Sequence, residues 1–238
     1  MAIKPAIKEH FIYATKAKAW RADTVEELAE RFQRASTLVG SDEVMVQELI
    51  PGDGREQYAY CAFFKDGRAV GSMVARRWRQ HPPEFGRAST FVETVDVPLL
   101  EEMSERLLRE IDYYGLVELE YKRDPRSGEF KLLDFNARAW GYNSLGRRAG
   151  VDLPAMLFAD QLGERVEPRR AQVGVRWIRL VTDLPTAALQ LVRGRLRPRE
   201  YLRTLTSFDT ESVFCRDDPL PALVELALIP YLVVKRGF

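Results

Sequence analysis

Residues 115–138 read GLVELEYKRDPRSGEFKLLDFNAR, and this stretch decides the interpretation of the whole chain. Two mixed polar and apolar segments flank the polar run DPRSG, which is typical of two strands joined by a loop. Leu132, Leu133 and Phe135 predict an apolar face for the second strand. We therefore predict a β-hairpin.

The polar side chains of this hairpin are expected to converge. Glu118 and Glu120 belong to the first strand, and the second strand ends in Asp134, Asn136 and Arg138. Because a hairpin places its strands side by side, Glu120 and Asp134 can lie close together. Carboxylate and amide oxygens suit Mg²⁺ that bridges phosphates, and a nearby arginine can hold a phosphoryl group. A solvated hairpin with unrelated charges is the alternative.

Composition narrows the class of protein. The chain has 238 residues, of which 46% are hydrophobic and 30% charged, as in globular proteins with a real core. A net charge of +1 gives no basic excess, so we expect no nucleic-acid partner. Cys61 and Cys215 are isolated, which fits a reduced, cytoplasmic compartment. His10 and His81 are far apart and suggest neither a zinc site nor a Ser-His-Asp triad.

The C-terminal run at 220–234 is strongly apolar but includes Glu225 and Pro230. It is too short and too interrupted for a membrane span. We predict a buried terminal helix. The alternative is a peripheral membrane contact that ends at Lys235 and Arg236.

Local signals predict strands flanked by helices. The capping box at 24–27 begins a helix that ends before Gly40. Asp66-Gly67 predicts the turn of a hairpin, and Pro98 begins a further helix. The other predictions are strands at 44–50, 58–65, 69–77 and 173–181, and helices at 153–162 and 186–192. Such helices on a mostly antiparallel sheet give an α+β architecture.

Five segments, in this order along the chain, resemble the ATP-grasp superfamily and in particular its carboxylate–amine ligases. They are AIKPA at 2–6, VMVQELIPG at 44–52, RRWRQHPPEFGRAST at 76–90, GLVELEY at 115–121 and LLDFNARAWG at 132–141. The resemblance implies two α+β lobes, with mostly antiparallel sheets, that hold a nucleotide between them. The ATP-grasp domain would span 1–165, with a small lobe at about 1–50 and a large lobe at about 51–165, followed by a C-terminal helical appendage at 166–238.

The resemblance also implies an adenine-binding hinge between the lobes. The hinge consists of Gln47, Glu48, Leu49 and Ile50. The backbone of Glu48 and Ile50 would read the adenine edge, and the side chain of Gln47 or Glu48 would contact the exocyclic amine.

Other residues are matched to the phosphates and the ribose of the nucleotide. Lys4 corresponds to a lysine that contacts the ATP phosphates, where a compact ammonium charge is suited. Asp53 or Glu56 would accept hydrogen bonds from the ribose hydroxyls, and we prefer Glu56. The loop after Lys4 lacks the glycines of many relatives, so Lys8, Lys16 and Lys18 are candidates to supply charge instead.

The resemblance assigns Mg²⁺, with Mn²⁺ as an alternative metal, to Glu120, Asp134 and Asn136. Arg138 would steady the reacting phosphates or acyl phosphate. Asp134 stands where a glutamate is more common in the family. Glu118, two residues before Glu120, is either a partner of the metal ligands or a charged edge residue.

An arginine-rich loop is a candidate for substrate binding. Arg77, Arg79 and Arg87 could hold a carboxylate or phosphate, or could simply be solvated. Ser89 and Glu93 would line the same cleft.

Three residues after the second hairpin strand are also candidates. Trp140, Tyr142 and Asn143 would form a wall of the acceptor pocket, with core packing favoured for Trp140.

The implied activity is that of an ATP- and Mg²⁺-dependent ligase. It would join a small-molecule carboxylate to an amine or similar nucleophile through an acyl-phosphate intermediate. Relatives begin with an extra α/β domain and an earlier strand that bears another phosphate lysine, and this chain starts at the second such strand. The alternative is therefore a non-catalytic or incomplete nucleotide-binding module that needs a partner chain or a missing N-terminal domain. A homo-oligomer is a further expectation.

Overall fold

The computed structural model describes residues 1–15, 17, 19–52, 54–83, 86 and 88–231. The chain forms two compact units, one comprising residues 1–51 with 85–87 and the other comprising residues 52–84 with 88–238. The candidate residues Lys16, Lys18, Asp53 and Arg87 lie outside the described residues.

The first unit contains a three-stranded antiparallel sheet with the strand order β2-β1-β3. Its elements are β1 (Ala2–Pro5), α1 (Lys8–Thr15), β2 (Trp20–Arg21), α2 (Val25–Val39) and β3 (Val44–Gln47). Ile3, which is fully buried, packs in one cluster with Phe11, Ala22 and Ala35. The core of this unit therefore lies between the sheet and its two helices.

The signals at the ends of α2 are confirmed. The Thr24 hydroxyl accepts a hydrogen bond from the backbone N–H of Glu27 at 3.1 Å, and Gly40 ends the helix at φ 90°. A non-glycine residue rarely adopts this φ, which explains the stop. The strand predicted at 44–50 is shorter than expected, because it ends at Gln47.

The second unit is built on an eight-stranded sheet with the order β11-β10-β6-β5-β4-β7-β8, and β9 pairs with β5. Its strands are β4 (Gln57–Lys65), β5 (Arg68–His81), β6 (Ala88–Val95), β7 (Gly115–Arg123), β8 (Phe130–Asn136), β9 (Arg169–Arg170), β10 (Arg176–Ile178) and β11 (Thr210–Glu211). Its helices are α3 (Pro98–Glu110), α4 (Ser144–Arg148), α5 (Leu153–Gln161), α6 (Leu180–Val192), α7 (Pro198–Ser207) and α8 (Leu220–Ala227). Only the β10–β11 and β5–β9 pairings among these strands are parallel, so the predicted α+β class is confirmed.

Both faces of the central strands are buried. Six consecutive residues of β4 are buried, which explains its uninterrupted apolar sequence. On one face Tyr60 and Phe64 pack in a cluster with Leu100 and Leu108 of α3. On the other face Cys61 belongs to a cluster that reaches α4 and α5. The second cluster matters for function, because the carboxylates of β7 lie on its side of the sheet.

The apolar face predicted for β8 is not buried as expected. Leu132 is 45% exposed and Phe135 is 37% exposed. The physical reason is that β8 is the last strand in the described sheet and has a neighbour only on the β7 side.

The region after β9 differs from prediction in its element boundaries. The predicted strand at 173–181 is only Arg176–Ile178, and helix α6 begins at Leu180, six residues before the predicted start. Pro185 lies inside α6, where we expected it to precede the helix. A proline near a helix start removes a single backbone hydrogen bond, so packing can carry the helix through it.

Helix α8 is present, but the prediction that it is buried is wrong, since none of its residues is buried. The exposed apolar side chains are Leu220, Leu223, Val224 and Leu226. Among the helices in the described ranges, none combines the length and the apolar character that crossing a bilayer requires.

Candidate functional site

The candidate site is built on the hairpin of β7 and β8. Glu120 pairs directly with Asp134, and Glu118 pairs with Asn136. Paired residues of neighbouring strands point to the same face, so the four side chains form one polar patch. A β-bulge follows the pair Glu120–Asp134, which ends the regular register beside the patch. The convergence predicted from sequence is therefore seen in the fold.

The loop of the hairpin is tied by its own polar groups. The backbone N–H of Asp124 donates to the carbonyl of Glu129 at 2.8 Å, and that of Gly128 donates to the carbonyl of Asp124 at 2.7 Å. The Asp124 carboxylate accepts from the backbone N–H and the guanidinium of Arg126. These bonds fix the connection and hence the register that brings the patch together.

The amide of Asn136 joins the two glutamates. Its Nδ2 donates to Glu118 Oε2 at 3.1 Å and to Glu120 Oε1 at 3.2 Å. Its Oδ1 accepts a hydrogen bond from the guanidinium of Arg138 at 3.1 Å. Arg138 also donates to the carbonyl of Ala139 at 3.0 Å and remains exposed. Nitrogen and oxygen of this amide therefore face opposite kinds of charge.

Glu118 is the buried member of the patch. It is 3% exposed, and its Oε1 accepts a hydrogen bond from the hydroxyl of Tyr142 at 2.6 Å. Burial and then the neighbouring charge of Glu120 raise the pKa of Glu118 to about 7. The Tyr142 hydroxyl also lies 3.8 Å from Cys61 Sγ, and burial raises the pKa of that thiol.

Arg77 supplies positive charge from strand β5. Its guanidinium lies 3.4 Å from Glu120 Oε2 and donates to the side-chain oxygens of Gln57 at 3.0 Å and Gln80 at 3.2 Å. Burial, the largest single effect, lowers the pKa of Arg77, but the charges of Glu120, Tyr142 and Glu118 together outweigh it, so the pKa is raised overall. Arg77 is therefore not solvated, which was one of its two alternatives, but is a partner of the carboxylate patch. The two glutamines were missed from sequence, although Gln57 pairs with Arg77 in the strand register.

The structure corrects two other candidates for the substrate cleft. Arg79 is 6% exposed and forms a bidentate ion pair with Asp183, so it holds α6 against the sheet. Glu93 pairs with Arg76, one residue out of phase with Arg77, and therefore points to the opposite face from the patch. Its carboxylate accepts from the indole of Trp78 at 2.8 Å and from Arg176 at 2.9 Å.

The aromatic residues after β8 pack in the core. Trp140 is 3% exposed and Tyr142 is 4% exposed, and both belong to the cluster around Cys61. The Asn143 side chain donates to the carbonyl of Trp140 at 2.7 Å. Core packing, the interpretation favoured for Trp140, holds for Tyr142 as well. Ser89 of β6 is half-buried and pairs with Gln80 of β5.

The candidate nucleotide residues of the first unit lie on β1 and after β3. Lys4 pairs with Met45, and Gln47 pairs with Ala2, so Lys4 and Gln47 lie on the same face of the small sheet. That face is opposite to Ile3, which packs against the helices. After Gln47 the chain leaves the sheet, with Glu48 exposed, Leu49 half-buried and Ile50 buried.

Glu56, the preferred ribose residue, belongs to the second unit. It ends a short 3₁₀ helix at Gly54–Glu56. Its carboxylate is half-buried and lies 3.9 Å from the guanidinium of Arg76, which stacks over the ring of Trp78 at 4.2 Å.

The donors of the patch fit a hard cation. Within the described ranges, no three His, Cys, Asp or Glu side chains are gathered as a metal site. Two paired carboxylates, Glu120 and Asp134, together with the amide oxygen of Asn136 supply oxygen ligands only. Mg²⁺ commonly takes one or two carboxylates and completes its shell with phosphates and water. Chemically, the patch can hold Mg²⁺ at these oxygens, with an anion beside the metal at Arg138.

No family model matches the chain. A D-aspartate ligase of Enterococcus faecium (strain Aus0004) is 25% identical over an alignment of 172 residues, and the match covers 68% of this chain and 40% of that protein. The chain thus spans about 40% of the length of the curated relative it matches.

Two solved structures share the fold. A biotin carboxylase from Campylobacter jejuni, in complex with β-γ-ATP, superposes with a TM-score of 0.55 and 14% identity, over 74% of this chain and 40% of its own. The biotin carboxylase domain of the Hydrogenobacter thermophilus 2-oxoglutarate carboxylase, solved with MgADP, ADP and bicarbonate, gives a TM-score of 0.55 and 14% identity, over 74% and 39%. The ATP-grasp architecture expected from the five sequence segments is thereby confirmed as the fold of this chain.

Proposed function

We propose that this chain is the ATP-grasp part of an ATP- and Mg²⁺-dependent ligase that joins a carboxylate to an amine or similar nucleophile. The carboxylate would take the γ-phosphoryl group of ATP to give an acyl phosphate and ADP. The nucleophile would then displace phosphate and form the new bond. Chemistry of this kind needs mainly positioning and charge neutralisation from the protein.

The observation that carries the proposal is the paired arrangement of Glu120 with Asp134 beside Asn136 and Arg138. In this proposal Glu120, Asp134 and Asn136 hold Mg²⁺, or Mn²⁺ in its place. The metal would supply positive charge that offsets the charge developing on the phosphate oxygens. Arg138 is exposed beside Asn136 and carries its guanidinium toward solvent, where an acyl phosphate could be bound bidentately.

We assign the remaining nucleotide contacts by the same reasoning. Lys4 would neutralise phosphate charge from the face of the small sheet opposite to Ile3, and Glu56 would accept hydrogen bonds from the ribose hydroxyls. The adenine would bind along the segment that leaves β3, whose residues are Gln47, Glu48, Leu49 and Ile50. We also propose that the two lobes meet in sequence near residue 51 and that a C-terminal appendage follows residue 165.

Similarity to a D-aspartate ligase supports an amino acid as one substrate. We propose that the carboxylate and the amine are both small molecules. A cytoplasmic location, a homo-oligomer, a separate N-terminal partner chain and a peripheral membrane contact through the C-terminal helix remain predictions.

The test is calorimetric titration with ATP in the presence and absence of Mg²⁺, followed by ADP release across a panel of amino acids that includes D-aspartate, each with a panel of amines. We expect Asp134→Ala and Asn136→Ala to weaken Mg²⁺-dependent ATP binding by at least about tenfold. Glu129→Gln is the matched control, because Glu129 is an exposed carboxylate in the loop of the same hairpin. It should bind as the wild type does.

Two outcomes distinguish the alternatives. If ATP binding is unchanged by removing Mg²⁺ and by both alanine substitutions, the metal site is not where we place it. If Mg²⁺-dependent binding is present but no substrate pair releases ADP, the chain is a nucleotide-binding module that needs another chain or domain for catalysis.

A further inference from the structure

Glu118 lies next to the proposed metal ligands but, unlike Glu120, is too deeply buried to bind a metal itself. Both of its oxygens are engaged, Oε1 by the hydroxyl of Tyr142 at 2.6 Å and Oε2 by the amide of Asn136 at 3.1 Å. It is also 3% exposed, in the cluster that contains Cys61 on the paired strand β4. A carboxylate in this position can act on the site only through its neighbours.

The hydrogen bonds of Asn136 show what that action is. A side-chain amide has an NH₂ group that donates and an oxygen that accepts. A half-turn about the Cβ–Cγ bond of asparagine exchanges their positions. Glu118 and Glu120 both accept a hydrogen bond from Nδ2, whereas Arg138 donates one to Oδ1. Turning the amide over would place its oxygen against two carboxylates, which is electrostatically unfavourable. The two glutamates therefore hold the amide oxygen on the side of Arg138.

We propose that Glu118, held by Tyr142, is a positioning residue that keeps the oxygen of Asn136 directed at the metal and phosphate side of the site. This inference rests on the proposed function and extends it. With a metal ion bound, Glu120 would be a weaker acceptor for Nδ2. Glu118 then remains the acceptor that keeps the amide in place. Tyr142 in turn fixes Glu118. Residues that orient metal ligands in this way raise the affinity for the metal ion.

The chain offers variants that separate the hydrogen bond from the charge and from the packing. Glu118→Gln keeps an oxygen for Asn136 and an amide N–H₂ for the Tyr142 oxygen. Glu118→Leu fills a similar volume but accepts no hydrogen bond. Tyr142→Phe leaves the ring in the core and removes only the hydroxyl that fixes Glu118. Glu129→Gln, on the loop of the same hairpin, is the control for a lost surface carboxylate.

The experiment measures Mn²⁺ binding by electron paramagnetic resonance in the presence of a non-hydrolysable ATP analogue, with metal-free analogue binding measured separately by calorimetry. We expect Glu118→Leu to weaken Mn²⁺ binding by about 10–100-fold and Tyr142→Phe by less, as for other residues that orient metal ligands. Glu118→Gln should stay within about threefold of the wild type, and metal-free analogue binding should be unchanged in all variants.

The outcomes separate this inference from the proposed function. If the wild type binds the analogue but shows no Mn²⁺ site, the proposed function fails and the inference with it. If the wild type binds Mn²⁺ and Glu118→Leu binds it equally well, the proposed function stands and the role of Glu118 is overturned. If Glu118→Leu does not fold, Tyr142→Phe decides: unchanged Mn²⁺ affinity there overturns the inference. Loss of metal-free analogue binding in step with Mn²⁺ binding would indicate a merely structural role and would also overturn it.

Discussion

The guanidinium of Arg79 and the carboxylate of Asp183 form a bidentate ion pair in the interior, with N–O distances of 2.8 and 2.9 Å. Asp183 is fully buried, and Arg79 also donates to the Thr204 hydroxyl at 3.3 Å. Its guanidinium lies 4.6 Å from the centre of the Phe91 ring. One side chain of strand β5 thus connects the sheet to helices α6 and α7.

Breaking this pair should destabilise the protein strongly. We expect Asp183→Ala to lower the free energy of unfolding by about 3–5 kcal/mol, because it leaves the Arg79 charge buried without its partner. Arg79→Met with Asp183→Leu should restore much of that loss, since two apolar side chains need no counter-charge. The free energies are measured by urea unfolding of each variant.

An exposed pair gives the control. Arg165 and Glu167 approach to 2.8 Å, but their side chains are 89% and 62% exposed. Arg165→Ala should change the free energy of unfolding by no more than about 0.5 kcal/mol. Equal losses for Asp183→Ala and Arg165→Ala would mean that the Arg79 pair does not stabilise the fold.

The same pair shows where sequence-based prediction stops. The hairpin around Asp66-Gly67 and the pairing of Glu120 with Asp134 are encoded within short segments, so pattern and turn chemistry predicted them. Arg79 and Asp183 are 104 residues apart, and no local signal relates them. Arg79 was therefore interpreted as a loop arginine. The start of α6 was missed for a similar reason, because packing overrides the local signal of Pro185.

The candidate site also has a part that short segments predict and a part that only the folded core shows. Glu120, Asp134, Asn136 and Arg138 come together through one hairpin, whose strands are consecutive in sequence. The environment of Glu118 depends on Tyr142, which follows the hairpin and packs back over the sheet. Alternation placed Glu118 on the correct face, but only the folded core shows that both of its oxygens are engaged.

Gly146 is predicted to tolerate no side chain. A Cβ at this position in α4 would lie 2.6 Å from the carbonyl oxygen of Val151, which is backbone and cannot rotate away. We expect Gly146→Ala to lower the free energy of unfolding by about 1–3 kcal/mol, despite the better helix propensity of alanine.

Gly141 is the matched control for this substitution, because a Cβ there meets nothing within 4 Å. Gly141→Ala should leave the melting temperature close to that of the wild type. A Gly146→Ala protein as stable as the wild type would show that the Val151 carbonyl can move aside at little cost.

Asp124 should make stability depend on acid pH. The side chain of Arg126, then its backbone N–H, then Lys131 hold the pKa of Asp124 well below its usual range. A carboxyl group whose pKa is lowered by folding stabilises the protein fully above its unfolded pKa of about 3.9, and this contribution is lost as the pH falls toward the folded value. Asp124→Asn should therefore be less stable near neutral pH and should lose less stability on acidification to about pH 3.

Urea unfolding of both proteins at the two pH values checks this prediction. Parallel losses on acidification in the wild type and Asp124→Asn would show that other carboxyl groups, and not Asp124, account for the acid sensitivity.

Helix α8 should be held by its charged residue rather than by its leucines. Glu225 is only 14% exposed and forms an ion pair with Arg179, whereas Leu223 is 59% exposed. Among the described residues, Arg179 Nε is buried without a hydrogen-bond partner, so loss of Glu225 leaves this guanidinium still less satisfied. We expect Glu225→Ala to cost about 1–3 kcal/mol of unfolding free energy. Leu223→Ala should stay within about 0.5 kcal/mol of the wild type, as surface substitutions usually do. Urea unfolding monitored by circular dichroism measures both variants, and the reverse order of losses would mean that the leucine face of α8 is buried in solution.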